Sequence, residues 1–220
     1  MRRLHHRHRY PVNDLSIINM PLIVPMTALS EFNYTRSPKD ATLNGTNIRP
    51  AFPGYEFNGS NDFITMTGIT DAMRDNYTIM IWFNTNSVTG SHDLISISKI
   101  NDADERFRII LGSAFPTLTN KFGMATSASA ITIGTWHHVA AVVNHTSLTA
   151  KIYIDGVLGN TDVTITRPPD TATDKIFIGM RVNLTNHFDG TMAGFLWYSR
   201  DFSAEEIQSI YNTTKWRYGV

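Results

Sequence analysis

Hydrophobic side chains recur at every second position along much of this chain, and that alternation is the pattern of β-strands. The segment 77–83, YTIMIWF, is apolar at odd and even positions alike, so it predicts a central strand that is covered on both faces. The segment 106–112, RFRIILG, alternates apolar positions with Arg106 and Arg108. We therefore expect one face of this strand in the core and the two arginines in solvent.

Turn residues separate the hydrophobic segments and keep each of them short. Loop-forming residues follow DLISISK, RFRIILG, KFGMAT, WHHVAAVVN and LTAKIYI. The pair Asp155-Gly156 tolerates positive φ angles, so it predicts a two-residue hairpin turn between strands at 148–154 and 157–160. Many short strands of this kind are typical of an all-β sandwich.

One helix is predicted near the C-terminus. Ser203 and Glu206 have the spacing of a capping box, in which each residue hydrogen-bonds the backbone of the other. The residues that follow place Ile207, Ile210 and Tyr211 on one face. We expect 203–211 to be the longest helix and to lie against a sheet.

The order of these motifs resembles the concanavalin A-like lectin/glucanase superfamily, and specifically its laminin G-like branch. The resemblance rests on a WHHVA strand, a YIDG hairpin, a strand containing F-x-G and a closing S-x-E-E-I-x-x-I-Y helix, and it covers roughly residues 40–212. It implies an all-β fold: a two-sheet antiparallel jelly-roll sandwich with one short C-terminal helix.

The first residues differ in kind from the rest. Four arginines lie in the first ten residues with no acid among them: Arg2, Arg3, Arg7 and Arg9. We interpret 1–29 as a basic, extended N-terminal arm and 30–220 as the laminin G-like jelly-roll domain. The arm is expected to contact neighbouring subunits of a homo-oligomer or other virion proteins, and nucleic acid is a candidate partner through the arm alone. The alternative is that the arm folds back as an extra edge strand of its own sheet.

The composition limits the partners, the metal sites and the location that we expect for the protein. The 220 residues contain 19 acids and 19 bases, so no global field attracts the chain to nucleic acid or membrane. The absence of cysteine excludes disulfides and thiolate metal sites. No apolar run is long enough to span a membrane, and Pro21 and Pro25 interrupt the apolar segment 15–29, so we expect no cleavable signal peptide. The expected location is a virion or an extracellular surface.

Hydrolysis of a glycan is not expected. Glycosidases of this superfamily that resemble laminarinases carry E-x-D-x-E on one strand, which places two carboxylates across the scissile bond. This chain has no such motif. Its nearest acidic cluster is Asp102, Asp104 and Glu105, which we place in a loop.

A metal site is not expected either. The resemblance implies an acid after the F-x-G strand, but Ala193 and Gly194 occupy those positions, and Asn58 stands where relatives carry an aspartate. The remaining calcium candidates are weak, and they are Asp62, Asp189, Asp102 and Asp104. His137 and His138 are adjacent on a strand, so they point to opposite faces and cannot share one ion; we expect one in the core and the other at the surface.

Sugar binding by this family generally requires an exposed aromatic ring. Trp82 and Trp136 are expected in the core. Trp197 and Tyr198 lie on opposite faces of one strand, so whichever of the two faces outward is the candidate sugar platform.

Two functions therefore compete. The favoured one is a non-enzymatic structural and assembly protein of a virion, such as a capsid, decoration or fibre component tied to its neighbours by the arm. The alternative is a lectin-like carbohydrate-binding module used for adhesion to a surface glycan, and a degenerate glycosidase ranks third.

Overall fold

The computed structural model describes residues 18–19, 41–45, 48–51, 53–70, 75–99, 105–120, 123–162, 165–166 and 173–220. Within these residues two antiparallel sheets pack face to face, and a single α-helix follows the last strand. This arrangement confirms the predicted jelly-roll sandwich. No helix in the described part of the chain is long and apolar enough to cross a membrane.

Sheet A has eight strands. They are β1 (Ile18–Asn19), β3 (Arg49–Ala51), β4 (Gly54–Asn58), β6 (Tyr77–Thr85), β11 (Trp136–Asn144), β12 (Thr149–Ile154), β13 (Val157–Asp162) and β15 (Asp189–Tyr198). Their order is β13-β12-β11-β6-β15-β4-β3, and β1 pairs with the far end of β15.

Sheet B has seven strands. They are β2 (Ala41–Asn44), β5 (Phe63–Thr70), β7 (His92–Lys99), β8 (Glu105–Leu111), β9 (Thr117–Asn120), β10 (Gly123–Thr126) and β14 (Thr173–Ile178). Their order is β10-β9-β8-β7-β14-β5-β2.

Strand β6 lies at the centre of sheet A, between β11 and β15, and both of its faces are buried. Ile79, Ile81 and Phe83 belong to the main core of the sandwich. Met80 belongs to a second apolar cluster that includes Phe202 and Ile207 of the C-terminal segment. The continuous apolar pattern of this strand thus reflects two separate cores, and each fully buried side chain contributes about 1.5–3 kcal/mol.

The hairpin predicted at Asp155-Gly156 is present. Asp155 and Gly156 have φ angles of 52° and 80°, and Ile154 pairs with Val157 across a two-residue turn. Both φ angles are positive, as a type I′ turn requires. The strands run 149–154 and 157–162, close to the predicted bounds.

The helix α1 (Ala204–Thr214) continues into a 3₁₀ helix (Lys215–Tyr218). Both hydrogen bonds of the predicted capping box form, since the Glu206 N–H donates to Ser203 Oγ at 3.2 Å and the Ser203 N–H donates to Glu206 Oε2 at 2.9 Å. The helix covers the outer face of sheet A, where Trp82 stacks on Tyr218 with 4.1 Å between ring centroids.

The interpretation of Arg106 and Arg108 as solvent-exposed is wrong, because both side chains are buried. Nε and Nη2 of Arg108 donate to the carboxylate of Asp93 at 2.5 and 2.6 Å, and Arg106 lies 3.4 Å from Asp174. Burial raises the pKa of Asp93, and the adjacent Arg108 opposes that shift. The period-two pattern cannot distinguish an exposed cation from one that is buried against a carboxylate on another strand.

The predicted loop around Glu105 is partly wrong as well. Glu105 begins strand β8, where its carboxylate accepts a hydrogen bond from Arg181 at 2.7 Å. Asp102 and Asp104 lie outside the described residues. The same holds for most of the arm, including Arg2, Arg3, Arg7 and Arg9. Of residues 1–29 only β1 is described, and it pairs with Trp197 and Leu196 of its own sheet, as the fold-back alternative expects.

The expectation that one of the adjacent histidines is exposed is also wrong. His137 is 7% exposed and His138 is 1% exposed. His137 Nδ1 lies 2.7 Å from Asp155 Oδ2, and its Nε2 accepts from the Thr132 N–H at 2.9 Å. His138 lies beneath the helix, 5.1 Å from Trp82 and 6.2 Å from Tyr211 between ring centroids. Burial lowers the pKa of His138 to about 4.

The free energy of unfolding should therefore fall as the pH is lowered from 6.5 towards 4. The unfolded chain binds a proton at His138 near its ordinary pKa of 6.5, whereas the folded chain resists until about pH 4. The resulting loss in the free energy of unfolding is roughly 3 kcal/mol, and it is complete once the pH lies below the lower pKa. Urea unfolding of the wild type and of His138→Phe across this range isolates the effect, because other titrating groups are common to both. A difference between the two that stays constant with pH would contradict it.

Candidate ligand-binding site at the sandwich rim

A polar pocket of about 630 Å³ opens at one end of the sandwich. Three connections form it: the segment before β6, the turn between β11 and β12, and the segment between β15 and α1. The lining residues are Asp75, Asn76, His145, Thr146, Ser199, Arg200 and Asp201. We call this the rim pocket, and its volume is in the range of small-molecule sites.

The carboxylate of Asp201 links the three connections. Its Oδ1 accepts from Nδ2 of Asn76 at 3.1 Å, and its Oδ2 accepts from Nδ2 of Asn144 at 2.7 Å. Oδ1 of Asn76 accepts in turn from the His145 N–H at 2.8 Å. The wall of the pocket is thus held in place without any ligand.

The turn between β11 and β12 is organised by one side chain. Oδ1 of Asn144 accepts from the N–H groups of Thr146 and Ser147 at 2.8 and 2.7 Å. Leu148 closes the turn with a φ angle of 56°, in the left-handed region that leucine seldom adopts. The same asparagine therefore shapes the turn and fixes its orientation towards Asp201.

The opposite wall depends on the helix. Arg200 forms two hydrogen bonds with Glu206, at 3.0 and 2.7 Å, and its guanidinium lies 3.8 Å from the centroid of the Phe202 ring. The main-chain carbonyl of Arg200 accepts from Thr78 Oγ1 at 2.8 Å, and Thr78 Oγ1 accepts from the Phe202 N–H at 3.0 Å. Arg200 also holds the pKa of Glu206 below its ordinary value.

The electrostatics of the pocket follow from these pairs. The lining carries two carboxylates, those of Asp75 and Asp201, and one guanidinium, that of Arg200, which is also paired with Glu206. Hydroxyls of Thr146 and Ser199 add groups that both donate and accept. The lining is therefore rich in acceptors, which suits a neutral ligand with many hydroxyl groups and disfavours an anion.

Of the predicted platform pair, Trp197 faces the core. It is 2% exposed and stacks on Tyr77 with 5.6 Å between ring centroids. The strand places Ala193, Phe195 and Trp197 in the main core, so the alternate residue Tyr198 is the outward member of the pair. Tyr198 is half-buried against Phe202 and directly precedes Ser199 of the rim pocket. The platform role of Tyr198 stays a prediction.

The other tryptophans differ widely in exposure. Trp82 is buried as expected, whereas Trp136 is half-buried, 5.0 Å from Tyr218 between ring centroids. Trp216 is 69% exposed and had no predicted role. The pattern of the sequence gives no sign of this exposure, since Trp216 follows directly on an amphipathic helix.

Within the described part of the chain, the calcium candidates form no metal centre. At the opposite rim Asp62 is buried and its Oδ2 accepts from the Asn58 N–H at 3.2 Å, while Asp189 accepts from Asn86 at 2.8 Å. Among the residues that the structure describes, no three His, Cys, Asp or Glu side chains could hold an ion together. Asp102 and Asp104 lie outside those residues. Oδ1 of Asn58 accepts from three N–H groups of its own loop, those of Ser60, Asn61 and Asp62.

The sequence-predicted residues are thus not those of the rim pocket. Its organising residues are Asn76, Asn144 and Asp201, which lie 57 to 125 positions apart in pairs that hydrogen-bond each other. In the sequence, Asn76 lies just before β6 and Asn144 lies at the end of β11. Nothing in the sequence indicates that both reach the same carboxylate.

A family model described as the concanavalin A-like lectin/glucanases superfamily matches residues 58–208. That range includes most strands of both sheets and the start of α1, and it covers more than half of the chain. No curated protein sequence matches the chain.

Solved structures with a similar fold include receptor-binding domains of botulinum neurotoxins. The receptor-binding domain of the C/D mosaic serotype is 14% identical, with a TM-score of 0.62, and the match covers 91% of this chain and 51% of that one. The binding domain of neurotoxin DC in complex with rat synaptotagmin II is 16% identical, with a TM-score of 0.60, over 83% of this chain and 48% of that one. The same domain in complex with SialylT is 15% identical, with a TM-score of 0.59, over 80% and 46%. This chain spans about half the length of the binding domains that it matches, and at these identities the likeness concerns the fold alone.

Proposed function

The chain belongs to the concanavalin A-like lectin/glucanases superfamily, as the sequence predicted, and from that premise we propose that it is a non-enzymatic binding module. Its ligand is a neutral, hydroxyl-rich molecule such as a surface glycan, and its site is the rim pocket. The lectin-like alternative is thus placed ahead of virion assembly. We propose an extracellular or virion surface as its location.

The observation that supports this proposal most strongly is the preformed wall around Asp201. Two amide groups, on Asn76 and Asn144, hold that carboxylate in place. A site that is ordered before binding avoids the entropic cost of ordering its side chains when the ligand arrives. Sugars present many hydroxyl groups that need both donors and acceptors, and the lining supplies carboxylates and hydroxyls.

The proposal that the protein binds its ligand without catalysis concerns the same carboxylate, that of Asp201. A glycosidase needs one carboxyl group that donates a proton and a second that acts as base or nucleophile. Both oxygens of Asp201 already accept hydrogen bonds from amides, so this carboxylate is engaged in holding the wall of the pocket and has no second carboxylate placed with it by these contacts.

The similar solved structures agree with a binding role in general terms. Their names describe receptor-binding domains, and two of them are complexes, with synaptotagmin II and with SialylT. Because these structures have low sequence identity to this chain, the proposal rests on the geometry of the rim pocket and not on the similarity of fold.

A second candidate is assembly of a virion through the basic arm. It is favoured by the four arginines in a stretch of ten residues that has no acid. Arginines bind carboxylates and phosphates through charge-assisted hydrogen bonds, so such a segment is suited to an acidic partner.

Neutral glycans should bind the wild type on an oligosaccharide array, and Asp201→Ala should lower the affinity by about tenfold or more. Removing this carboxylate leaves the amides of Asn76 and Asn144 without their acceptor and loosens two walls of the pocket, which is worth more than about 1 kcal/mol. Titration calorimetry with the best neutral hit provides the affinity, and thermal melts establish that the variant is folded.

The matched control is Asp189→Ala. Asp189 also accepts from an asparagine amide, but it begins β15 whereas Asp201 follows the end of that strand, so it lies at the opposite rim. Its replacement should leave the affinity unchanged within about twofold. Equal losses in the two variants, or a neutral hit whose affinity neither variant alters, would show that the rim pocket is not the site.

No glycan should be hydrolysed. Incubating micromolar protein with laminarin, alginate and other β-linked glycans should release no reducing ends above a buffer blank. Release that disappears in Asp201→Ala would identify the rim pocket as an active site. Release that disappears when Asp102, Asp104 or Glu105 is replaced by Ala would move catalysis to the start of β8.

The assembly candidate predicts a change in oligomeric state when the arm is altered. Deleting residues 1–14, or replacing Arg2, Arg3, Arg7 and Arg9 by Gln in the full chain, should leave a folded sandwich that no longer assembles. Light scattering after size-exclusion chromatography measures the mass of each. If both variants keep the oligomers of the wild type, the arm has no role in assembly.

A further inference from the structure

Trp216 is the most exposed of the large apolar side chains that the structure describes. It lies in the 3₁₀ helix with 69% of its surface exposed, whereas Trp82 and Trp197 are 3% and 2% exposed. Its Nε1–H donates to the carbonyl of Thr213 at 2.9 Å. The indole is therefore held in one orientation, with its only polar group already satisfied, and what it presents to a ligand is the face of the ring.

The surroundings of this ring are cationic. Arg217 lies over Trp216, with 5.3 Å between the guanidinium carbon and the ring centroid, and Lys215 lies over Tyr211 at 5.2 Å. The sequence from Ile207 to Val220 contains these two cations and no acid. We call Lys215, Trp216 and Arg217 the C-terminal platform.

The C-terminal platform is separate from the rim pocket. Glu206, which fixes one wall of that pocket, lies ten residues before Trp216. At the rise of a helix this spacing corresponds to about 15 Å along its axis. The two surfaces also differ in charge, since the rim pocket carries two carboxylates and one guanidinium and the platform carries two cations.

We propose that the C-terminal platform binds an acidic saccharide, with a sugar ring stacked on Trp216 and a carboxylate or sulfate of the sugar paired with Arg217. A tryptophan face attracts the C–H groups of a sugar ring, and a guanidinium binds a carboxylate or sulfate through two parallel hydrogen bonds. This binding does not depend on the rim pocket or on the function proposed for it.

The chemistry of the platform favours a saccharide over a bilayer. Between Asn212 and Val220, Trp216 and Val220 are the exposed large apolar side chains. Two such side chains and two cations bury too little apolar surface for stable insertion, which generally needs a second anchoring signal. A flat ring beside a guanidinium instead matches the size of one or two sugar units.

The test uses the full chain and three probes: heparin-derived hexasaccharide, 3′-sialyllactose, and maltohexaose as the neutral comparison. At least one acidic probe should shift the tryptophan emission of the wild type. Calorimetry should show that Trp216→Ala and Arg217→Gln each weaken the binding of this acidic probe by about fivefold or more. The conservative variant Trp216→Phe should lose less affinity than Trp216→Ala. Binding should weaken with added salt, because one partner of the contact is charged.

The matched control is Lys175→Gln, which removes one positive charge from β14 of the other sheet and should leave the affinity unchanged. Vesicles that contain sulfatide, compared with vesicles of equal charge that contain phosphatidylserine, separate a glycolipid headgroup from plain lipid charge. Binding to sulfatide alone extends the proposal to a headgroup, and binding of the soluble probes alone restricts it to free glycans.

Four results would overturn the proposal. Equal binding to phosphatidylserine vesicles would make the platform a site for anionic lipid, and equal binding of maltohexaose would remove the role of Arg217. Binding of the acidic probes that Trp216→Ala and Arg217→Gln leave intact, or no binding of any acidic probe, would show that the platform is not a saccharide site.

Discussion

The structure depends on a sheet that is apolar on both faces. The central strand β6 buries Ile79, Ile81 and Phe83 between the two sheets, while Met80 and Trp82 of the same strand are apolar on the other side. A sandwich of two sheets can cover only one of these faces. The C-terminal segment covers the second: Ile207 of α1 packs with Met80, and Tyr218 of the 3₁₀ helix stacks on Trp82 at 4.1 Å. Without this cover, a large apolar surface would face water.

This covering segment also determines where ligands can bind. To reach the outer face of sheet A, the chain must turn sharply after β15, and Thr78 of β6 fixes that turn through the carbonyl of Arg200 and the N–H of Phe202. The turn brings Asp201 against Asn76 and Asn144 and so completes the rim pocket. The same segment ends with Trp216 directed away from the sheet. One packing requirement thus places an acceptor-rich pocket and a cationic aromatic surface at the two ends of a single helix.

Local signals in the sequence predicted the elements well, and non-local contacts account for the failures. The hairpin at Asp155-Gly156 and the cap at Ser203 depend on residues within a few positions of each other, and both were found where expected. The burial of Arg108 depends on Asp93, which lies on a neighbouring strand, so the alternation of the strand alone could not reveal it. The alternation of the strand required Trp197 and Tyr198 to point to opposite faces of the sheet, but only the packing of the two sheets decides which of them faces inward. The rim pocket is the extreme case, because its three connections meet only after β11, β6 and β15 have paired in sheet A.

The claim that the rim pocket is a preformed site for neutral, hydroxyl-rich ligands is tested most directly by an NMR titration. Amide resonances of the isotope-labelled full chain are followed while lactose, N-acetylglucosamine and methyl α-mannoside are added in turn at millimolar concentration. At least one sugar should shift amides of 75–78, 144–149 and 199–203 together, with little change elsewhere, because the three connections line the same pocket. Shifts that are confined to the outer face of sheet B or to the opposite rim around 58–62 and 186–189, with these three segments unchanged, would contradict it.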